Sequence, residues 1–215
     1  MKSRPFAAFF VLCCAPLLAQ APAAAPAIQT HTSDIGFTYG IPSDWEVVDT
    51  QPALPVVKQQ ATQSAGSENE KKGIACVQIA LTAKHGTPAS VVVVVALPFD
   101  CFGQQMGDKD LPGFAAGASE GIKKTFDVSD PIYGAYSLGT HSVWVERATG
   151  SLIGHPEVKY TIETVCSVLK KGAVCWMAMA ADDPGLQTFE KSTVTLDGET
   201  PAALVPADAF QKKPS

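Results

Sequence analysis

Residues 166–175 read CSVLKKGAVC, in which two β-prone stretches flank a polar turn that contains a glycine. This pattern predicts a β-hairpin. If Val168 lies opposite Ala173, then Cys166 falls opposite Cys175, and the apolar residues that alternate along both arms share one face of the sheet. A bulge at the glycine would shift the register by one residue and send the two sulfurs to opposite faces. The apolar alternation favours the first register, so the hairpin predicts an antiparallel sheet with a half-buried face.

The N-terminus has the order of a secretory signal peptide. Lys2 and Arg4 precede an apolar run over residues 6–18, and small residues follow. The run is shorter than the roughly 20 residues that a membrane-spanning helix needs, so we expect cleavage and no transmembrane anchor. Residues 1–21 are interpreted as the leader, although Pro22 leaves the exact cleavage position open. The protein is therefore expected to be periplasmic or secreted.

Four of the six cysteines follow the leader, and an even number in an oxidising compartment predicts two disulfide bonds. Three pairings are possible. The hairpin register favours Cys166 with Cys175, which leaves Cys76 to pair with Cys101 at the outer ends of two further strands joined by residues 85–88. The alternative is that all four are buried free thiols, because cysteine also behaves as a small apolar residue.

The composition argues against several classes of function. The leader carries two of the 16 Lys and Arg residues and none of the 21 acids, so the mature net charge is −7 and nucleic-acid binding has no electrostatic support. No metal site or cofactor is predicted, because the acidic clusters lack the spacing of a calcium loop and the histidines lack zinc-site spacing. Those histidines are His31, His85, His141 and His155.

The chain after the leader has the length of one domain, and a monomer is expected. Residues 22–33 are interpreted as an Ala/Pro-rich spacer, 34–200 as a single α+β domain, and 201–215 as an extended tail. The five valines Val91–Val95 predict a central strand covered on both faces. The patterns predict helices over 56–62, 111–126 and 186–194, a loop over 64–72, and strands over 36–42, 46–48, 74–84, 90–97, 135–138, 141–148, 157–169 and 173–181. Such an order predicts a mostly antiparallel sheet with helices packed on it.

Residues 36–48 read GFTYGIPSDWEVV, and this run resembles the opening hairpin of PsbP-like domains, including bacterial relatives of DcrB type. The order of the remaining predicted elements agrees with that family. The resemblance implies an α-β-α sandwich and a non-catalytic accessory module that binds or positions a larger assembly. It supplies no catalytic residue. The two inferred disulfides, the Gln/Ser-rich insertion at 50–73 and the missing lipid-attachment motif depart from the family.

We therefore expect a non-catalytic binding or assembly module of the cell envelope, whose partner is an envelope protein or a small apolar ligand. One alternative is a serine hydrolase, because residues 117–121 read GASEG and match the nucleophile-elbow pattern around Ser119. That elbow needs a strand before the serine, whereas a helix is predicted there. His141 or His155 would have to act as the base. A second alternative is a carrier that holds a small apolar ligand between the sheet and a helix.

Overall fold

The computed structural model describes residues 27–211, so the predicted leader at 1–21 lies outside the described residues. Twelve strands and five α-helices follow one another in that range. Their bounds are β1 Ile28–Thr32, β2 Phe37–Pro42, β3 Glu46–Val47, α1 Leu54–Ser64, α2 Glu68–Cys76, β4 Gln78–His85, β5 Ser90–Pro98, α3 Phe99–Phe102, α4 Leu111–Lys123, β6 Phe126–Val128, β7 Ile132–Leu138, β8 His141–Leu152, β9 His155–Val168, β10 Gly172–Ala180, α5 Asp183–Glu190, β11 Thr193–Leu196 and β12 Ala202–Ala203. Within residues 27–211, no helix combines the length and the apolar character that crossing a bilayer requires.

An eight-stranded sheet forms the centre of the fold, with the order β3-β4-β5-β10-β9-β8-β6 and with β7 also paired to β8. Every pairing in it is antiparallel, as the hairpin predicted. The register of that hairpin is the predicted one, because Val168 lies opposite Ala173 and Cys166 lies opposite Cys175. The long strands β8, β9 and β10 therefore form one continuous platform.

One face of this platform is covered by a second sheet. That sheet has four strands in the order β1-β2-β11-β12, and α5 lies beside it. Phe37 and Tyr39 of the small sheet pack on Trp176 of β10, with the Phe37 and Trp176 ring centroids 5.5 Å apart. Phe189 of α5 completes the core on this side. The predicted α-β-α sandwich is therefore correct only in part, because this outer layer consists mainly of strands.

The helix α4 covers the opposite face. Leu111 and Ala115 of α4 pack on Cys166 and Cys175, and the two cysteines are joined by a disulfide bond. Side chains of a strand alternate between the two faces, so the residues under α4 are those that do not contact the small sheet. Val91–Val95 follow the same rule, because Val92 and Val94 are buried whereas the other three valines are half-buried. The second face of this strand is thus less covered than predicted.

Ordered elements extend beyond the predicted domain boundaries at 34 and 200. Residues 28–32, assigned to the spacer, form β1 and pair over their whole length with residues 38–42 of β2. β1 was missed because its residues are mostly polar and lie at the edge of the small sheet. Residues 201–211, assigned to an extended tail, include β12 and the fully or nearly buried Leu204 and Ala209. Their apolar side chains lie between prolines at irregular spacing, so no periodic pattern predicts that they are buried.

The segment before β4 also differs from the prediction. Residues 68–76 form α2, with Ser67 accepting a hydrogen bond from the backbone N–H of Glu70 as an N-terminal cap, where a loop and the start of a strand were predicted. Cys76 ends this helix and bonds to Cys101 of α3, so the pairing is as predicted although neither cysteine lies on a strand. The helices predicted to reach 126 and 194 end at Lys123 and Glu190, and short strands follow them.

Candidate functional site

A cleft of about 290 Å³ opens between the second half of α4 and the segment 128–133, which joins β6 to β7. Its floor is formed by Glu146 of β8 and Thr164 of β9, whose side chains face α4. Lys123 lies at its edge on the helix, and Tyr133 forms part of the opposite wall. We call this space the α4 cleft. Concave sites with a few converging polar groups are the usual form of ligand sites in proteins.

Three polar side chains meet on the floor of the α4 cleft. Ser119 donates a hydrogen bond to the Oε1 of Glu146, and its hydroxyl lies 3.2 Å from the hydroxyl of Thr164. Glu146 and Thr164 are direct cross-strand partners, which brings their side chains to the same face. Ser119 follows Ala115 by one helical turn, so it lies on the side of α4 that faces the sheet. The helix and the sheet register together produce this cluster.

Ser119 does not have the setting of a catalytic nucleophile. It lies well inside α4, where the backbone N–H groups are used by the helix, so a strand-to-helix elbow is absent at this position. The two histidines proposed as its base lie elsewhere. His141 donates a hydrogen bond from Nδ1 to the carbonyl of Val168 at 3.0 Å, and His155 is exposed and pairs with Glu157 at 3.2 Å. The structure therefore does not bring the sequence-predicted hydrolase residues together.

Glu146 is the half-buried acid of the floor. Across residues 27–211, no Lys, Arg or His nitrogen lies within ion-pair distance of its carboxylate. The adjacent Arg147 points to the other face of β8, as strand alternation requires, and pairs there with Glu163 and Glu190. A carboxylate moved out of water is unfavourable unless it is paired or hydrogen-bonded, and Ser119 donates one hydrogen bond to it.

The walls of the α4 cleft are mainly apolar. Ile122 of α4, Val128 and Ile162 line it, together with the ring of Tyr133. The Tyr133 ring is held against Trp144, with their centroids 5.6 Å apart. An aromatic ring and aliphatic side chains thus surround the polar floor. A ligand with one polar end and an apolar body fits this distribution.

Arg147, Glu163 and Glu190 form an ionic cluster on the other face of the sheet, which no sequence motif indicated. Glu163 is fully buried, and Arg147 bridges it to Glu190 of α5 while its guanidinium lies 4.4 Å from the ring centre of Phe210. Burial raises the pKa of Glu163 to about 7, although the charge and hydrogen bond of Arg147 lower it. The alternating pattern of β9 places Glu163 on the same face as Val165, and this spacing was the available sign that Glu163 is buried.

His141 is nearly buried beside two acids. Its Nε2 lies 3.5 Å from Asp197 and 3.6 Å from Glu199. Thr140 donates to Glu199, and these hydrogen bonds lower the pKa of that carboxyl. In the described part of the chain, no group of three or more His, Cys, Asp or Glu side chains is arranged to hold a metal ion.

No family model and no curated protein matches the chain. Among solved structures, the chain is similar to cyanobacterial PsbP (CyanoP) from Synechocystis sp. PCC 6803, with 10% identity, a TM-score of 0.44, and coverage of 80% of this chain and 91% of that chain. Nothing in the comparisons bears on the DcrB type.

Proposed function

We propose that this protein is an exported, non-catalytic binding module that takes its ligand in the α4 cleft. The observation that carries the proposal is the floor of that cleft, where Ser119, Glu146 and Thr164 converge between apolar walls. Polar groups that converge in a concave site fix the orientation of a ligand, while apolar walls supply most of the contact area.

The same geometry favours binding over nucleophilic catalysis. A serine nucleophile needs a base within hydrogen-bond reach and donors for the developing oxyanion. Ser119 contacts the hydroxyl of Thr164 and a carboxylate that is oriented by no third group in the described chain. A ligand that is apolar throughout fits less well, because it would cover the carboxylate of Glu146 without pairing it.

Two further features support export and a role in the cell envelope. The N-terminal sequence has the order of a signal peptide, and the described domain contains two disulfide bonds, Cys76–Cys101 and Cys166–Cys175. Disulfide bonds persist in oxidising compartments and are rare in the cytosol of mesophiles. The partner or ligand would therefore be met outside the cytoplasm.

A thermal-shift screen of the mature protein against small molecules, with a blocked variant beside it, tests the proposal. Ala116 is exposed and lines the cleft, so Ala116→Trp should fill the opening. Gly117→Trp is the matched control, because a side chain at Gly117 points into open space. A ligand at 100 times its Kd adds about 2.7 kcal/mol of stability, which corresponds to a rise of roughly 5–10 °C in Tm for a domain of this size.

We expect ligands that raise the Tm of the wild type and of Gly117→Trp, but not of Ala116→Trp. The proposal fails if every stabilising ligand acts equally on the blocked variant, because binding would then occur elsewhere.

A further inference from the structure

We infer that the α4 cleft recognises a primary ammonium group on an apolar chain, so that its ligand is an alkyl amine or a lysine side chain. This inference deepens the proposed function and rests on it. It starts from the carboxylate of Glu146, which is half-buried on the floor of the cleft and has no cationic partner within residues 27–211.

The charges that line the cleft favour a cation. Glu146 lies on the floor and Asp130 belongs to the segment opposite α4. The one lysine of the lining, Lys123, pairs with Glu120 at 3.4 Å on the outer side of the helix. Glu120 thereby offsets part of the positive charge of Lys123, and the two carboxylates give the lining of the cleft a net negative charge. The mature chain as a whole is acidic, which raises the local concentration of cations further.

The number of hydrogen-bond acceptors on the floor matches an ammonium group. Such a group has three N–H donors and no acceptor. The floor offers the two carboxylate oxygens of Glu146 and the hydroxyl oxygen of Ser119, and the buried hydroxyl of Thr164 lies 3.2 Å from that of Ser119. Of the Glu146 oxygens, only Oε1 receives a hydrogen bond from the described residues.

The walls fit the chain that carries the ammonium group. Tyr133 provides an aromatic ring, against which a cation is attracted by the ring quadrupole. Ile122 and Ile162 provide aliphatic surface for methylene groups. The volume of about 290 Å³ lies at the small end of ligand sites and suits one short alkyl chain or one side chain. An anion that approached Lys123 would meet the carboxylate of Glu146 behind it.

Calorimetric titration of the mature protein with three six-carbon probes tests the inference. n-Hexylammonium chloride should bind, whereas 1-hexanol and sodium hexanoate should bind at least tenfold more weakly or not at all. Glu146→Gln should weaken hexylammonium binding at least tenfold, because the ion pair is lost while the shape is kept. Glu68→Gln is the control, since it removes the same charge from a side chain that is 90% exposed on α2.

The source of the ammonium group is distinguished by a second titration with the peptide acetyl-Gly-Lys-Gly-amide. Tighter binding of the peptide than of hexylammonium supports a lysine side chain of a protein partner, and tighter binding of the free amine supports a small molecule. Either result supports ammonium recognition.

The inference is overturned if hexylammonium shows no saturable binding, or if Glu146→Gln and Glu68→Gln bind it equally. These failures are separable from a failure of the proposed function. If the alcohol, the carboxylate or a ligand from the thermal-shift screen binds the wild type but not Ala116→Trp, the cleft is a binding site for another chemical class.

Discussion

Replacement of Glu163 by Gln should remove a pH dependence of folding that the wild type shows between about pH 4.5 and 7. Glu163 is fully buried, and burial raises its pKa from 4.5 to about 7 in the folded protein. Between these two values the folded state holds a proton that the unfolded state has released. The unfolded state therefore binds fewer protons, and the free energy of unfolding falls as the pH rises through this range.

The magnitude follows from the size of the pKa difference. One pKa unit corresponds to about 1.4 kcal/mol, so a rise from 4.5 to about 7 predicts a loss of about 3 kcal/mol across the window. The Gln side chain keeps an oxygen that can accept from Arg147 but does not titrate. The stability of Glu163→Gln should then change by less than about 1 kcal/mol over the same range, apart from groups common to both proteins.

Urea unfolding at several pH values measures this directly, since the midpoint and slope give the free energy of unfolding. The difference between wild type and variant cancels the contributions of other groups. Glu199, for example, has a lowered pKa, so its contribution is present above its unfolded pKa and is lost as the pH falls. If the stability of the wild type relative to Glu163→Gln does not fall between pH 4.5 and 7, the burial argument is refuted.

Three further predictions concern the remaining features. A fluorophosphonate probe should not label the mature protein, and Ser119→Ala should give the same result; labelling that this variant abolishes would support the hydrolase alternative. Leu204→Ala should lower the free energy of unfolding by about 2–5 kcal/mol, because Leu204 is fully buried. A change below about 0.5 kcal/mol, measured by urea unfolding, would show that this segment does not contribute to the core. Replacing Cys166 and Cys175 together by Ala should cost about 2–3 kcal/mol from loop closure, measured against the wild type by thermal unfolding, and an unchanged Tm would contradict it.

The hairpin and its register could be predicted from sequence because the information is local. Cys166 and Cys175 are only nine residues apart, and one apolar alternation decides between two registers. The bond between Cys76 and Cys101 follows from the sequence by elimination, and the structure contains it. The sequence does not predict the two helices on which these cysteines lie. Elimination fixes partners but gives no information on the elements around them.

The floor of the α4 cleft could be predicted only in part. Ser119 is singled out by the GASEG motif at 117–121, and the apolar spacing of that segment predicts that it lies inside a helix. Its contact with Glu146 depends on how α4 lies across β8 and β9, which is a tertiary relation with no periodic signal. The same holds for Arg147 and Glu163, which meet because β8 and β9 pair in one register. Local patterns predict the elements, whereas sites arise where elements meet.

Amide chemical-shift mapping of the mature protein with n-hexylammonium chloride tests the assignment of the binding site most directly. The largest shifts are expected in residues 116–123 of α4, in the segment 128–133, and at Glu146 and Thr164 on the floor. The shifts should saturate and should be absent in Ala116→Trp. Saturable shifts that cluster on the face carrying Arg147, or an unchanged spectrum at the highest soluble concentration of the probe, would contradict the assignment.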